Sequence, residues 1–287
     1  MAWRICFLSQ TRVGIMGNSL LIPFYLSSLF LGSKPKPTDL IIIHLSLVHT
    51  MMLLTRGIII AGEMMGMHLV QTNVECKLFS FLCRITRGLS ICTTCLLSMV
   101  QAITLSPSNS YLFKLKVKVP NFTLPVLGIM WIPNMLISTN LLFQMVASHN
   151  STSTDNNCYF VPINTLLQGL IFTSMALRDI LSLGLMSCFS GYMVLLLHRH
   201  GHQVQHLHSP LQAPEASPER RATKTILLFV SGFMLFYCGD FVHSLFLGTS
   251  MKNNAALLNA NIFVVSGYAT ASPFVLLTCN TSHKVSR

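Results

Sequence analysis

The sequence predicts an all-α membrane protein, a single bundle of seven transmembrane helices with the amino terminus outside and the carboxyl terminus in the cytoplasm. Charged residues make up only 9% of the 287 residues and hydrophobic residues 52%, whereas soluble domains carry roughly a quarter charged residues. The apolar residues gather into stretches of about 20 residues or more, enough to cross a hydrocarbon core of roughly 30 Å as helix. These runs are continuous, not alternating over about ten residues at a time, which excludes a barrel and leaves helices to satisfy the backbone internally. The distribution of lysine and arginine then sets the orientation.

The first span runs from about Cys6 to Leu31 and carries Arg12 in its outer part. Nothing before it resembles a cleavable signal, so this helix is expected to act as its own insertion signal. Leu40–Ala61 is the second span, with His44, His49 and Arg56 inside it, and Leu78–Leu105 is the third, carrying Arg84 and Arg87. The fourth is Phe122–Val146. The fifth, Leu166–Leu197, holds Arg178 and Asp179; the sixth, Thr225–Leu247, holds Asp240; the seventh is Leu257–Thr278.

Lys34, Lys36, Lys114, Lys116, Lys118, Arg199, Arg220, Arg221, Lys224, Lys284 and Arg287 fall on one side of this arrangement, against Arg4, Arg12, Lys77 and Lys252 on the other. The first side is therefore cytoplasmic. Cys76 and Cys158 both lie outside, where disulfides persist, and a bridge between them is expected; the alternative is two free thiols. Of the three glycosylation sequons, those at Asn121 and Asn280 face the cytoplasm, so only Asn150 is expected to carry sugar.

The run HRHGHQVQHLHS, His198 to Ser209, places His198, His202 and His206 at the i, i+4, i+8 spacing of metal ligands on a helix. No acid stands among them to act as a base and Gly201 weakens a helix there, so a helix extension facing lipid and partner is the preferred reading, with no metal and no cofactor. Pro210, Pro214 and Pro218 then make a short linker to the sixth span. The basic inner loops suit an anionic membrane surface or an acidic partner, not a nucleic acid.

Four motifs carry a resemblance: GIMGNSLL (Gly14–Leu21), KPTDLIIIHLSL (Lys36–Leu47), RITRGLSICTTCLLSMVQAITLSP (Arg84–Pro107) and SPERRATKTILL (Ser217–Leu228). LRD at Leu177–Asp179, SGYMV at Ser190–Val194 and ATASPFVLL at Ala269–Leu277 agree with them. Over essentially its whole length the sequence resembles the vomeronasal type 1 receptors, the pheromone receptors of the G-protein-coupled superfamily. Similar His-rich sequence follows the fifth helix in that family. Met99-Val100-Gln101-Ala102 stands where rhodopsin-like receptors end the third helix with Asp/Glu-Arg-Tyr, and Ser272-Pro273-Phe274 replaces Asn-Pro-x-x-Tyr, so the switches of the larger class are not carried over. Within the vomeronasal pattern, Arg12 and Cys238-Gly239 are departures. Arg12 would cost roughly 3 kcal/mol at mid-depth but can snorkel near a helix end.

The resemblance implies a multi-pass plasma-membrane receptor, a small-molecule pheromone as ligand and a heterotrimeric G protein of the inhibitory class as partner. Lys114, Lys116, Lys118, Arg199, Arg220 and Arg221 would face that G protein. Arg56, Arg84, Arg87 and Arg178 outnumber Asp179 and Asp240 within the apolar runs, and intramembrane charge is functional by default. Arg84, Arg87, Arg178 and Asp240 are accordingly the candidate ligand contacts, for an apolar molecule with an anionic head such as a sulfated steroid. The alternative reading, an intramembrane metal-dependent hydrolase using His44 and His49, is weakened because residues five apart diverge around a helix.

Overall fold

The computed structural model describes residues 2–30, 36–66, 72–108, 110–147, 158–161, 164–207, 227, 230–239 and 255–284. Among these residues it is a helical bundle with one two-stranded sheet. In chain order the elements are α1 (Ala2–Phe30), α2 (Pro37–Met64), α3 (Asn73–Leu105), α4 (Tyr111–Lys116), α5 (Val119–Ser138), α6 (Leu141–Gln144), β1 (Met145–Ala147), β2 (Cys158–Phe160) and α7 (Thr165–Leu207). Two more helices follow, α8 (Val230–Gly239) and α9 (Ala255–Lys284). Five segments, those of α1, α2, α3, α5 with α6, and α7, are long and apolar enough to cross a membrane; α8 and the Ile262–Leu277 part of α9 are shorter apolar helices among the described residues.

Helix starts follow local chemistry. Pro37 occupies the first turn of α2, where a missing N–H costs nothing, and Asp39 adds a favourable negative charge there. A capping box opens α3: Glu75 N donates to Thr72 Oγ1 at 3.2 Å and Thr72 N donates to Glu75 Oε2 at 2.9 Å. This box extends α3 five residues before the expected start at Leu78. The expected fourth span proves to be compound, because a turn at Thr139–Asn140 separates α5 from α6 and the chain then becomes extended as β1. The fifth helix continues ten residues past Leu197, through Gly201 to Leu207, so the His-rich run is helical in its first part. Only residues 227 and 230–239 of the expected sixth span are described.

α9 contains Pro273, which cannot donate to the carbonyl of Ala269 four residues back. That carbonyl is satisfied from outside the helix ladder: Asn18 Nδ2 donates to it at 2.9 Å and Ser272 Oγ at 3.2 Å. A proline in one helix thus explains the buried asparagine of another. The apolar core lies where α1, α2, α3, α7, α8 and α9 meet, around Leu21, Ile41, Leu45, Leu97, Met186, Phe233 and Tyr268. Conversely, Leu136 is 70% exposed and Leu166 78% exposed. Large apolar side chains facing out along helices of this length suit lipid as the surrounding solvent.

At one end of the bundle a small lid forms. β1 and β2 pair antiparallel with Ala147 opposite Cys158, and Cys158 is joined to Cys76 in the first turn of α3 by a disulfide with a Cα–Cα distance of 5.9 Å. Ala147 N donates to Asn73 Oδ1 at 2.8 Å, and Val161 N donates to Gln144 O at 2.8 Å. The strands are therefore stapled to the start of α3 and the end of α6.

Candidate ligand-binding site

Below the lid, α3, α5 and α7 each contribute polar side chains to one cluster. Arg84 and Arg87 stand one turn apart on α3, roughly 12 and 16 Å along the helix from Cys76 at 1.5 Å per residue. Arg178 and Asp179 come from α7, Asn134 from α5 and Asn140 from the turn after it. Arg178 Nε and Nη2 donate to Asp179 Oδ1 at 2.9 and 2.7 Å, while Arg178 Nη1 donates to Asn134 Oδ1 at 2.9 Å. Arg87 Nη2 meets the other carboxylate oxygen at 3.4 Å. Arg84 Nη1 donates to Asn140 Oδ1 at 3.0 Å, and Asn140 Nδ2 donates in turn to Gln144 Oε1 at 2.8 Å.

The electrostatics are lopsided. Guanidinium groups stay charged in proteins, and Arg84 feels the fields of both Arg87 and Arg178. Two of the three cations, Arg87 and Arg178, reach the two oxygens of the Asp179 carboxylate, and the third stands beside them. That third is Arg84, whose hydrogen-bond partner is a neutral amide. Arg178 could have reached water by snorkelling; instead its side chain is only 10% exposed, turned inward onto Asp179 and Asn134.

Of the other candidate residues, Asp240 and the sequon at Asn150 lie outside the described residues. Arg56 does not join the cluster: its Nη1 donates to Ser266 Oγ at 3.2 Å, between α2 and α9. The interior charge surplus inferred from the sequence is thus split between two places. Asn134, Asn140 and Gln144 were missed, although polar amides within an apolar run are a readable signal for interhelical bonding.

His44 and His49 are committed to separate networks. Trp131 Nε1 donates to His44 Nε2 at 3.0 Å. That nitrogen is therefore an acceptor, and the neutral ring carries its proton on Nδ1, which lies 3.1 Å from Thr93 Oγ1. His49 lies between Ser272 Oγ and Ser90 Oγ, each at 2.9 Å. Each imidazole ties α2 to its neighbours, and no group of three His, Cys, Asp or Glu suited to a metal occurs among the described residues.

The far end of the bundle is basic. Lys114 and Lys116 lie on α4 over the rings of Tyr111 and Phe113, Lys118 caps α5, and all three are exposed, as is Arg199 on α7. Tyr192 of α7 holds the end of α3 there, its hydroxyl 3.1 Å from Ser106 Oγ and 3.4 Å from Ser110 Oγ. Arg220 and Arg221 lie outside the described residues.

Residues 1–285 match the model of the vomeronasal organ pheromone receptor family. Vomeronasal type-1 receptor 90 of Rattus norvegicus is 39% identical across 98% of this chain and 91% of its own length. Vomeronasal type-1 receptor 100 of the same species is 39% identical across 96% of the chain and 85% of its own length. Vomeronasal type-1 receptor 45 of Mus musculus is 37% identical across 95% and 86%.

Proposed function

The chain belongs to the vomeronasal organ pheromone receptor family, and from that membership we propose that it is a chemosensory receptor for a small, largely apolar ligand with an anionic head. It is a membrane receptor and not an enzyme, which removes the hydrolase alternative. In the proposed arrangement α1, α2, α3, α5 with α6, α7, α8 and α9 are the seven spans of a plasma-membrane receptor, with the disulfide-bonded lid outside and the basic end in the cytoplasm. The cation asymmetry of the loops supports that orientation.

One observation carries the ligand chemistry: Arg84 holds a full charge against a neutral amide, beside two further guanidiniums that share Asp179. Unneutralised charge in a bundle is expensive and tends to be functional. A sulfate or carboxylate entering beneath the lid would accept charge-assisted hydrogen bonds from these donors, while its apolar body packed among the helices. Asp240 belongs to the same proposed site through its place on the sixth span. Binding would shift an equilibrium between two helix arrangements, read out by an inhibitory-class G protein at Lys114, Lys116, Lys118, Arg199, Arg220 and Arg221.

The test is a cell-surface response assay with a panel of sulfated steroids. Arg84→Gln and Arg87→Gln, at surface levels matched to wild type, should each raise the effective concentration by about tenfold, as for one lost charge-assisted bond. Unchanged potency in both would leave the arginines as scaffold.

A further inference from the structure

We propose that Gly88 is a specificity-determining position: the missing side chain is the space in which Arg178 and Asn134 meet, and filling it would release the arginine from the orientation that selects an anionic head. The specificity half of this rests on the reading that the arginine cluster binds the ligand; the positioning half does not.

Gly88 is buried in the middle of α3, where glycine is a poor helix former compared with alanine. Its backbone does not need glycine, because Gly66 is the one glycine with positive φ among the described residues. The need is for space. A Cβ built on Gly88 falls well inside van der Waals contact with both Asn134 Oδ1 and Arg178 Nη1, and 3.1 Å from Arg178 Cζ. Those first two atoms are the acceptor and donor of the 2.9 Å bond that joins α5 to α7 against the surface of α3. By contrast, a Cβ at Gly128 of α5 or Gly184 of α7 meets nothing within 4 Å.

The obstructing atoms are the ends of flexible side chains, so a methyl at position 88 can push them aside without moving a helix. Arg178 Nε and Nη2 can remain on Asp179 Oδ1, but the guanidinium loses its third anchor and with it a fixed plane. A fork held at three points presents its donors in one geometry, which matches the planar or trigonal oxygens of a carboxylate or sulfate. A fork held at one carboxylate oxygen swings. Gly88 acts through Arg178 and is a positioning residue, not itself a ligand contact.

Two measurements decide this. The first is a double-mutant cycle on the thermal unfolding midpoint of the purified full-length receptor, using Gly88→Ala, Asn134→Ala, the double variant, and Gly128→Ala as control. Gly88→Ala should lower the midpoint by several degrees in the native background and clearly less in the Asn134→Ala background, where the bond is already lost and the guanidinium can shift into the space that Asn134 leaves. Equal losses in both backgrounds, or none in either, would overturn the positioning role. The second is the potency ratio between sulfated steroids and their unsulfated parents. Gly88→Ala should cut that ratio by roughly tenfold with Gly128→Ala unchanged. Coupling in the cycle with an unchanged ratio would overturn the specificity role, whereas a wild-type receptor that does not distinguish sulfate from parent would overturn the ligand reading and leave the cycle to decide Gly88 alone.

Discussion

Two buried polar regions of this bundle use similar materials to opposite ends. Around His49, the hydroxyls of Ser90 and Ser272 close on the two ring nitrogens, and Asn18 donates to the carbonyl that Pro273 frees. No carboxylate or guanidinium takes part in these bonds, which join α1, α2, α3 and α9. Around Arg84, Arg87 and Arg178 the donors are charged, and Arg84 is held by a neutral amide. The first region ties four helices together; under the proposed function the second presents charge to an incoming anion. A polar group in a membrane bundle is thus no guide to function by itself; the balance of charge around it separates the two roles.

Loss of the disulfide should have the largest effect on the bundle. Cys76→Ser or Cys158→Ser should abolish most surface expression, since loss of a native disulfide costs about 2–5 kcal/mol, and the double variant should be no worse than either single one. Additive losses in flow-cytometric surface staining would show that the thiols act separately. Next in size is His49→Ala, which strands the buried Ser90 hydroxyl at about 1–3 kcal/mol and leaves Ser272 Oγ only its bond to Ala269 O. It should lower the unfolding midpoint and affect all agonists alike, charged or neutral. A loss confined to anionic agonists would place the imidazole in the ligand site and not in the scaffold. Trp131→Phe removes one donor to His44 and should destabilise by about 1 kcal/mol, measurable in the same melt, with the rank order of agonists unchanged.

Much of the scaffold side was legible. Five of the expected spans coincide with helices long and apolar enough to cross a membrane, because the hydrocarbon core imposes a length, and the bridge partners were expected from their placement on one side of the bundle. Boundaries were less so. The capping box at Thr72 and Glu75, and the persistence of α7 through Gly201, depend on short-range hydrogen bonding that hydropathy does not register. On the site side, Arg84 and Arg87 could be paired by their spacing on one helix, but the inward turn of Arg178 could not. It depends on Asn134 and on empty space at Gly88, three helices brought into one register. Arg56 shows the same limit in reverse: identical chemistry in an apolar run, yet it bonds Ser266 elsewhere in the bundle.

The smallest effect concerns orientation alone. Enzymatic removal of N-linked sugar should change the gel mobility of wild type but not of Asn150→Gln. A shift that persists in the variant would put another sequon outside and turn the bundle over, moving the arginine cluster to the wrong side for an external ligand.

Under the proposed function, ligand charge is read by the arginine cluster and not by the histidine layer. The most direct test is the potency ratio of sulfated steroids to their unsulfated parents, measured at matched surface level for wild type, Arg84→Gln and His49→Gln. The ratio should fall by about tenfold in Arg84→Gln, the worth of one charge-assisted bond, and stay at the wild-type value in His49→Gln even if both absolute potencies drop. A ratio that survives Arg84→Gln, or that falls equally in His49→Gln, would contradict the account.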